Sequence, residues 1–158
     1  MPVSRHDPVR PLRGGGYRLK LGAFERDALR SLCAELRELI QADDAAVDRL
    51  FPAAYRDDPA ASAEFASLVR GELVAGRLKA LLTVEATLEA DRLDETQLTA
   101  WCDALNDLRL VLGERLGVTE DLYEQGLDPR DPRAQELALY GWLTWLQGNV
   151  VEALASRL

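Results

Sequence analysis

Few residues of this sequence could carry covalent or acid–base chemistry. Its single histidine is His6, which any Ser-His-Asp or Cys-His arrangement would need as its base. A general base must be held within hydrogen-bond reach of the proton it takes. His6 lies in residues 1–16, where Pro2, Pro8, Pro11 and Gly14-Gly15-Gly16 break any periodicity, and this stretch reads as a disordered basic arm. The glycine run is not a phosphate loop, because no lysine-serine pair follows it and no strand precedes it. Paired Cys or His at zinc-ligand spacing are absent. Glu85 and Glu89 stand four apart, a spacing open to a carboxylate pair and equally to a solvated helix face. We therefore expect no enzyme, no metal and no cofactor.

Two other sets of residues have alternative readings. Cys33 and Cys102 read as small core residues. They could also form a redox pair, if packing brought their Cα atoms within about 7 Å and lowered a thiol pKa. Asn106, Asp107, Arg109, Glu114 and Arg115 form a polar set beside an apolar stripe. They are either ordinary ion pairs or a recognition surface anchored by arginine. Trp142 and Trp145 are either core or interface residues. The candidate interaction surface is thus Asn106, Asp107, Arg109, Arg115, Trp142 and Trp145, and the candidate redox pair is Cys33 and Cys102.

Helices must position these groups. From Glu25 to Gln41, Leu29, Leu32, Cys33, Leu36, Leu39 and Ile40 recur at three- and four-residue spacings and draw one stripe. Asp44 reads as the cap of a short turn ending before Pro52, in an apolar connector from Leu50 to Tyr55. Asp58-Pro59 opens a helical pattern that runs to about Ala90. Gly71 and Gly76 interrupt it, so we expect two helices or a kink near Gly71. Its core would comprise Phe65, Leu68, Val69, Leu73, Leu78, Leu81, Leu82 and Leu88. Asp94 to Gln97 has the form of a capping box. The helix behind it carries Leu98, Trp101, Cys102, Leu105, Leu108, Leu112 and Leu116, and Gly117 is its stop. Thr119 caps a brief turn to Tyr123, and either Asp128-Pro129 or Asp131-Pro132, the second being the better candidate, opens a last helix that is apolar on more than one face. Upstream, Tyr17 to Leu21 alternates apolar and polar like a strand. No mate for it is evident, which leaves packing on the helices or pairing with a second copy.

The chain has 158 residues, 47% apolar and 29% charged, enough for one domain with a sizeable core. No apolar run approaches the roughly 20 residues of a membrane span, and no apolar signal region opens the chain. We expect a cytoplasmic protein. Net charge is −8, with +4 on residues 1–20 and −12 on the rest. A body this acidic repels phosphate, so any DNA contact would fall to the arm or to the helix of Arg109 and Arg115. Only Lys20 and Lys79 are lysines among nineteen basic residues, a bias that suggests a GC-rich genome.

Three stretches carry a family resemblance: LFPAAYRDDP (residues 50–59), LNDLRLVLGERLGV (105–118) and YGWLTWLQ (140–147), with Ala63-Glu64-Phe65 between the first two. Together they resemble the actinobacterial oxidative stress regulator family, AosR, long catalogued only as a domain of unknown function. The resemblance spans about Tyr17 to Leu154 and is most specific in the second stretch. It implies a small, mainly helical cytoplasmic protein with no enzymatic activity. It also implies a role in redox-responsive transcription through the transcription machinery, a sigma factor being the natural partner. The family picture includes a sensing cysteine pair near the N-terminus. Residues 1–32 contain no cysteine here, so that role does not pass to Cys33 and Cys102.

The expected fold is an all-α, single-domain helical bundle of five or six helices (residues 17–158) with a short N-terminal extended segment, preceded by the arm (residues 1–16). An unmated strand and an aromatic last helix both favour a homodimer. The expected function is non-enzymatic regulation of stress transcription through protein contacts. A direct DNA-binding regulator and an adaptor outside transcription are the alternatives.

Overall fold

The computed structural model describes residues 7–51, 63–119 and 128–157. Among these, four α-helices and a three-stranded sheet replace the expected five or six helices. The helices are α1 (Ala23–Gln41), α2 (Ala63–Thr87), α3 (Glu95–Leu116) and α4 (Ala134–Ala155), with a 3-10 helix at Ala45–Leu50. The strands are β1 (Val9–Pro11), β2 (Tyr17–Leu19) and β3 (Arg92–Leu93), in the order β1-β2-β3 and antiparallel throughout.

The sheet corrects two expectations. The alternating segment at Tyr17 has mates within its own chain, on both sides. Val9 faces Leu19 and Arg10 faces Arg18, while Tyr17 faces Leu93 and Arg18 faces Arg92. Residues 7–16, assigned to the arm, form a hairpin strand and its turn, and only the first six residues of that arm, His6 included, lie outside the described residues. Gly14, Gly15 and Gly16 make the turn with φ of 86°, 110° and 78°, a region that glycine enters without a Cβ penalty. Arg157, just past α4, donates to the carbonyls of Leu12 and Gly16 at 2.5 and 2.6 Å. Its guanidinium also lies 4.6 Å from the centre of the Tyr17 ring, so the turn is tied to the end of the last helix.

The helix signals behave as their chemistry requires. Asp94 accepts from the Gln97 amide at 2.7 Å while the Gln97 side chain accepts from the Asp94 amide at 2.9 Å, a closed capping box. Gly117 ends α3 at φ 63°, the left-handed stop. Asp44 caps the 3-10 helix, accepting from the Ala46 amide at 2.9 Å. The Asp131 carboxylate accepts from the Arg133 amide at 2.8 Å, but α4 begins only at Ala134. α2 is one continuous helix through Gly71 and Gly76 rather than two. The Leu50–Tyr55 connector beyond Phe51, the Asp58-Pro59 cap, Phe65's side chain and the turn from Glu120 to Tyr123 lie outside the described residues.

One cluster of buried side chains joins the sheet to all four helices. α3 lies at its centre, packed on α2 and α4 and touching α1. Trp101 of α3 is fully buried, and its indole N–H donates to the Thr87 hydroxyl at 2.7 Å. Leu68 and Leu82, expected in the core, are exposed on α2, whereas Leu81 and Leu88 are buried. No helix among the described residues is long and apolar enough to cross a membrane.

Candidate functional site

The polar residues of α3 do not share one exposed surface. Asp107 is 2% exposed and accepts from Arg77 of α2. Asn106 is half-buried against α4, accepting from Gln147 Nε2 at 3.4 Å. Arg115 is exposed and donates to Glu35 of α1 at 3.1 Å. Arg109 is half-buried, and its buried Nε has no hydrogen-bond partner among the described residues. The reason is the central place of α3. With neighbours on three sides, the positions flanking its stripe fall into interfaces, where polar groups must pair. The set expected as a recognition surface is therefore mostly interhelical cement.

The tryptophans divide differently. Trp142 is half-buried against the core, while Trp145 is 48% exposed. Trp145, Gly148 and Val151 follow one another at three-residue steps on α4, each about 60° round the helix from the last, and together they span about a third of its circumference, with Trp142 off to one side. Gly148 is exposed, and Val151 is 47% exposed. From Leu137 to Val151 the helix carries no charged residue. Two of its polar side chains bond back to the helix's own carbonyls: Thr144 Oγ1 donates to Tyr140 at 3.0 Å and Asn149 Nδ2 to Trp145 at 2.9 Å. The opposite side, with Leu143, Leu146 and Val150, is buried. The helix is thus apolar on both faces, and one of them meets solvent. Trp145 and Val151 are among the large apolar side chains that solvent reaches.

Both thiols are free. Cys33 is fully buried in α1, and its pKa is pushed up to about 12, first by burial, then by the Glu85 carboxylate, against the opposing pull of Arg37. Glu85 is itself held by Arg37 through two bonds of 3.1 Å. Cys102 is half-buried and also raised, by burial and then by Asp103, with the Gln147 hydrogen bond opposing. Oxidants and disulfides react with thiolates, and both sites favour the protonated form at neutral pH. Among the described residues no group of His, Cys, Asp and Glu could hold a metal ion.

The sequence reading missed one further feature. On the outer face of the sheet, Arg10, Arg18 and Arg92 stand directly opposite one another across three strands. Arg10 and Arg18 were visible as basic arm residues. Nothing in the sequence placed Arg92 beside them, because β3 is two residues long.

Comparison with known proteins adds two findings. A model of the family described as "Domain of unknown function (DUF2017)" matches residues 6–154. A Mycobacterium leprae protein named "Putative oxidative stress regulator AosR" is 33% identical over 140 residues, covering 86% of this chain. The chain spans 63% of that relative's length. No solved structure matches.

Proposed function

The chain belongs to the DUF2017 family, and from that premise we propose a non-enzymatic regulator of the oxidative stress response that acts on transcription through protein contacts. The observation that carries this reading is the outer face of α4. An uncharged stretch that exposes Trp145 and Val151 is suited to a protein partner, with a large aromatic as anchor. The name given to the Mycobacterium leprae relative supports the stress role. The partner we propose is a component of the transcription machinery such as a sigma factor, met in the cytoplasm. Pairing of α4 faces between two copies is the rival occupant, and the argument for a dimer now rests on α4 alone, since β2 is paired on both edges. The burial of Cys33 and the raised pKa of both thiols favour an oxidant signal that enters through the partner.

The test uses the purified chain, its Trp145→Ser/Val151→Ser variant, and immobilised RNA polymerase with and without each sigma factor of the source organism. Both positions are solvent-exposed, so the variant should melt within a few degrees of the parent. Capture of the parent but not the variant supports the reading. Equal capture of both, or capture of neither, overturns it. Tight duplex-DNA binding that collapses with salt would replace it with a direct DNA reader.

A further inference from the structure

The sheet's outer face is a poor arrangement for a protein left to itself. Like charges directly opposite one another on neighbouring strands repel, and here three arginines stand in a row. Lys20 continues the row along the β2 chain, two residues past Arg18 on the same exposed side. Arg10 has Asp7 at 3.8 Å. Arg18, Lys20 and Arg92 are exposed, and none has an ion-pair partner among the described residues. This happens on a chain with 27 acidic residues and a net charge of −8, where counter-charges are abundant.

The row borders a groove of about 480 Å³. Arg18, Lys20, Arg26 and Arg92 line it against the single carboxylate of Asp91, and Leu12, Leu21 and Leu88 are among its apolar lining. A smaller hollow of about 70 Å³ shares Arg18 and Lys20 and extends the cationic wall to Arg10. None of the lining residues comes from α4, so this surface is separate from the aromatic face proposed above.

We propose that this groove docks an extended acidic peptide segment of a partner protein, one that alternates carboxylate and apolar side chains. The spacing favours a chain over a single anion. Neighbouring strands are about 4.8 Å apart, so the outermost arginines stem from backbone about 10 Å apart. A single phosphate would engage two of these flexible side chains and leave the rest of the row unmatched. Every second carboxylate on an extended peptide lies about 6.6 Å from the last, a step that flexible arginines can meet with forked hydrogen bonds. The leucines take the side chains that point the other way. A duplex fits less well. Its sugar–phosphate backbone offers nothing to the apolar lining of Leu12, Leu21 and Leu88.

The experiment is fluorescence anisotropy of a labelled peptide alternating glutamate and valine, with the full chain at low and moderate salt. The parent should bind, and Arg18→Glu/Arg92→Glu should weaken binding by about a hundredfold, because two attractions become repulsions. Arg18→Gln/Arg92→Gln should weaken it by about tenfold with an unchanged melt. A glutamine-for-glutamate peptide should not bind. Failure of the parent to bind the acidic peptide, or equal binding by parent and reversed variant, overturns the proposal. So does a labelled DNA duplex that binds more tightly than the peptide and loses its affinity in the same variants, which would assign the groove to nucleic acid. Loss of polymerase capture in the α4 variant with peptide binding intact would separate the two surfaces.

Discussion

Asp107 of α3, buried to 2% exposure, is neutralised by Arg77 of α2. Its second carboxylate oxygen has no hydrogen-bond partner among the described residues. Burial raises its pKa above 3.8, and the bond from Arg77 and its charge pull the other way.

Removing Arg77 should therefore be expensive. Arg77→Met leaves a buried carboxylate without its cation, and we expect a loss of about 2–4 kcal/mol. The upper end is tempered because the Arg77 side chain is 28% exposed and water can follow. The sign with pH is defined. A raised carboxylate binds its proton more tightly folded than unfolded, so its contribution to stability falls as pH rises through that window. Arg77→Met should thus be most destabilised near neutrality and recover in acid. Urea midpoints across the acid range check this, and a pH-independent loss would place the cost elsewhere.

Cys33 gives the alkaline counterpart. With a folded pKa of about 12 against an ordinary 9.0, its thiolate is about a thousandfold scarcer at neutral pH than that of a free thiol. Folded Cys33 should resist iodoacetamide until urea opens the core, while half-buried Cys102 reacts first. The raised pKa also means that stability is lost as pH climbs from 9.0 toward about 12. Cys33→Ala should flatten that part of the stability profile relative to the parent. Rapid alkylation of Cys33 in the native protein would contradict the burial argument.

Helix periodicity made α1 and α3 legible, because each has a single dense stripe: Leu29, Cys33, Leu36 and Ile40 on one, Leu98, Trp101, Leu105, Leu108 and Leu112 on the other. The capping box and Gly117 were legible because their chemistry is local. α2 was read less well, since leucines lie on several sides of it and only packing decides that Leu81 is buried while Leu82 is exposed. The sheet was missed because β1 and β3 are three and two residues long, too short for alternation to register. The site suffered for the same reason. Asp107 and Asn106 were visible as polar, but which neighbour would cover them depends on how α2 and α4 close on α3.

The hairpin makes the N-terminal segment structural. Val9 is buried opposite Leu19 in the paired strands. Deleting residues 1–11 removes that side chain and bares an edge of β2. We expect a loss of about 1.5–3 kcal/mol from the apolar burial alone, or roughly 4–10 °C in melting temperature at this chain length. An unchanged melt would mean that β1 contributes nothing to the folded state.

Gly113 of α3 allows close approach of α4. A Cβ there would lie 2.9 Å from Cε2 of Tyr140, nearer than side chains pack. In an open helix Gly→Ala gains about 1 kcal/mol. Here the tyrosine ring must move in a packed seam, and overpacking costs about 1–3 kcal/mol. We expect Gly113→Ala to be destabilising by about 1 kcal/mol, with Tyr140→Leu restoring part of the loss in a double-mutant cycle. A stabilised Gly113→Ala would show that the seam yields freely.

The same substitution at two leucines separates periodicity from packing. Leu105 and Leu68 both lie on apolar stripes of the sequence, yet Leu105 is fully buried and Leu68 is 70% exposed. Leu105→Ala removes side-chain volume from the centre of α3, between helices that cannot collapse onto the gap, and should cost about 2–5 kcal/mol. Leu68→Ala vacates no core space and trades one good helix former for a better one, so it should stay within about 0.5 kcal/mol of the parent. Chemical denaturation of the two variants side by side decides it. If Leu68→Ala proved as costly as Leu105→Ala, the outer side of α2 would be covered in solution by something, and the exposed leucine would mark where it sits.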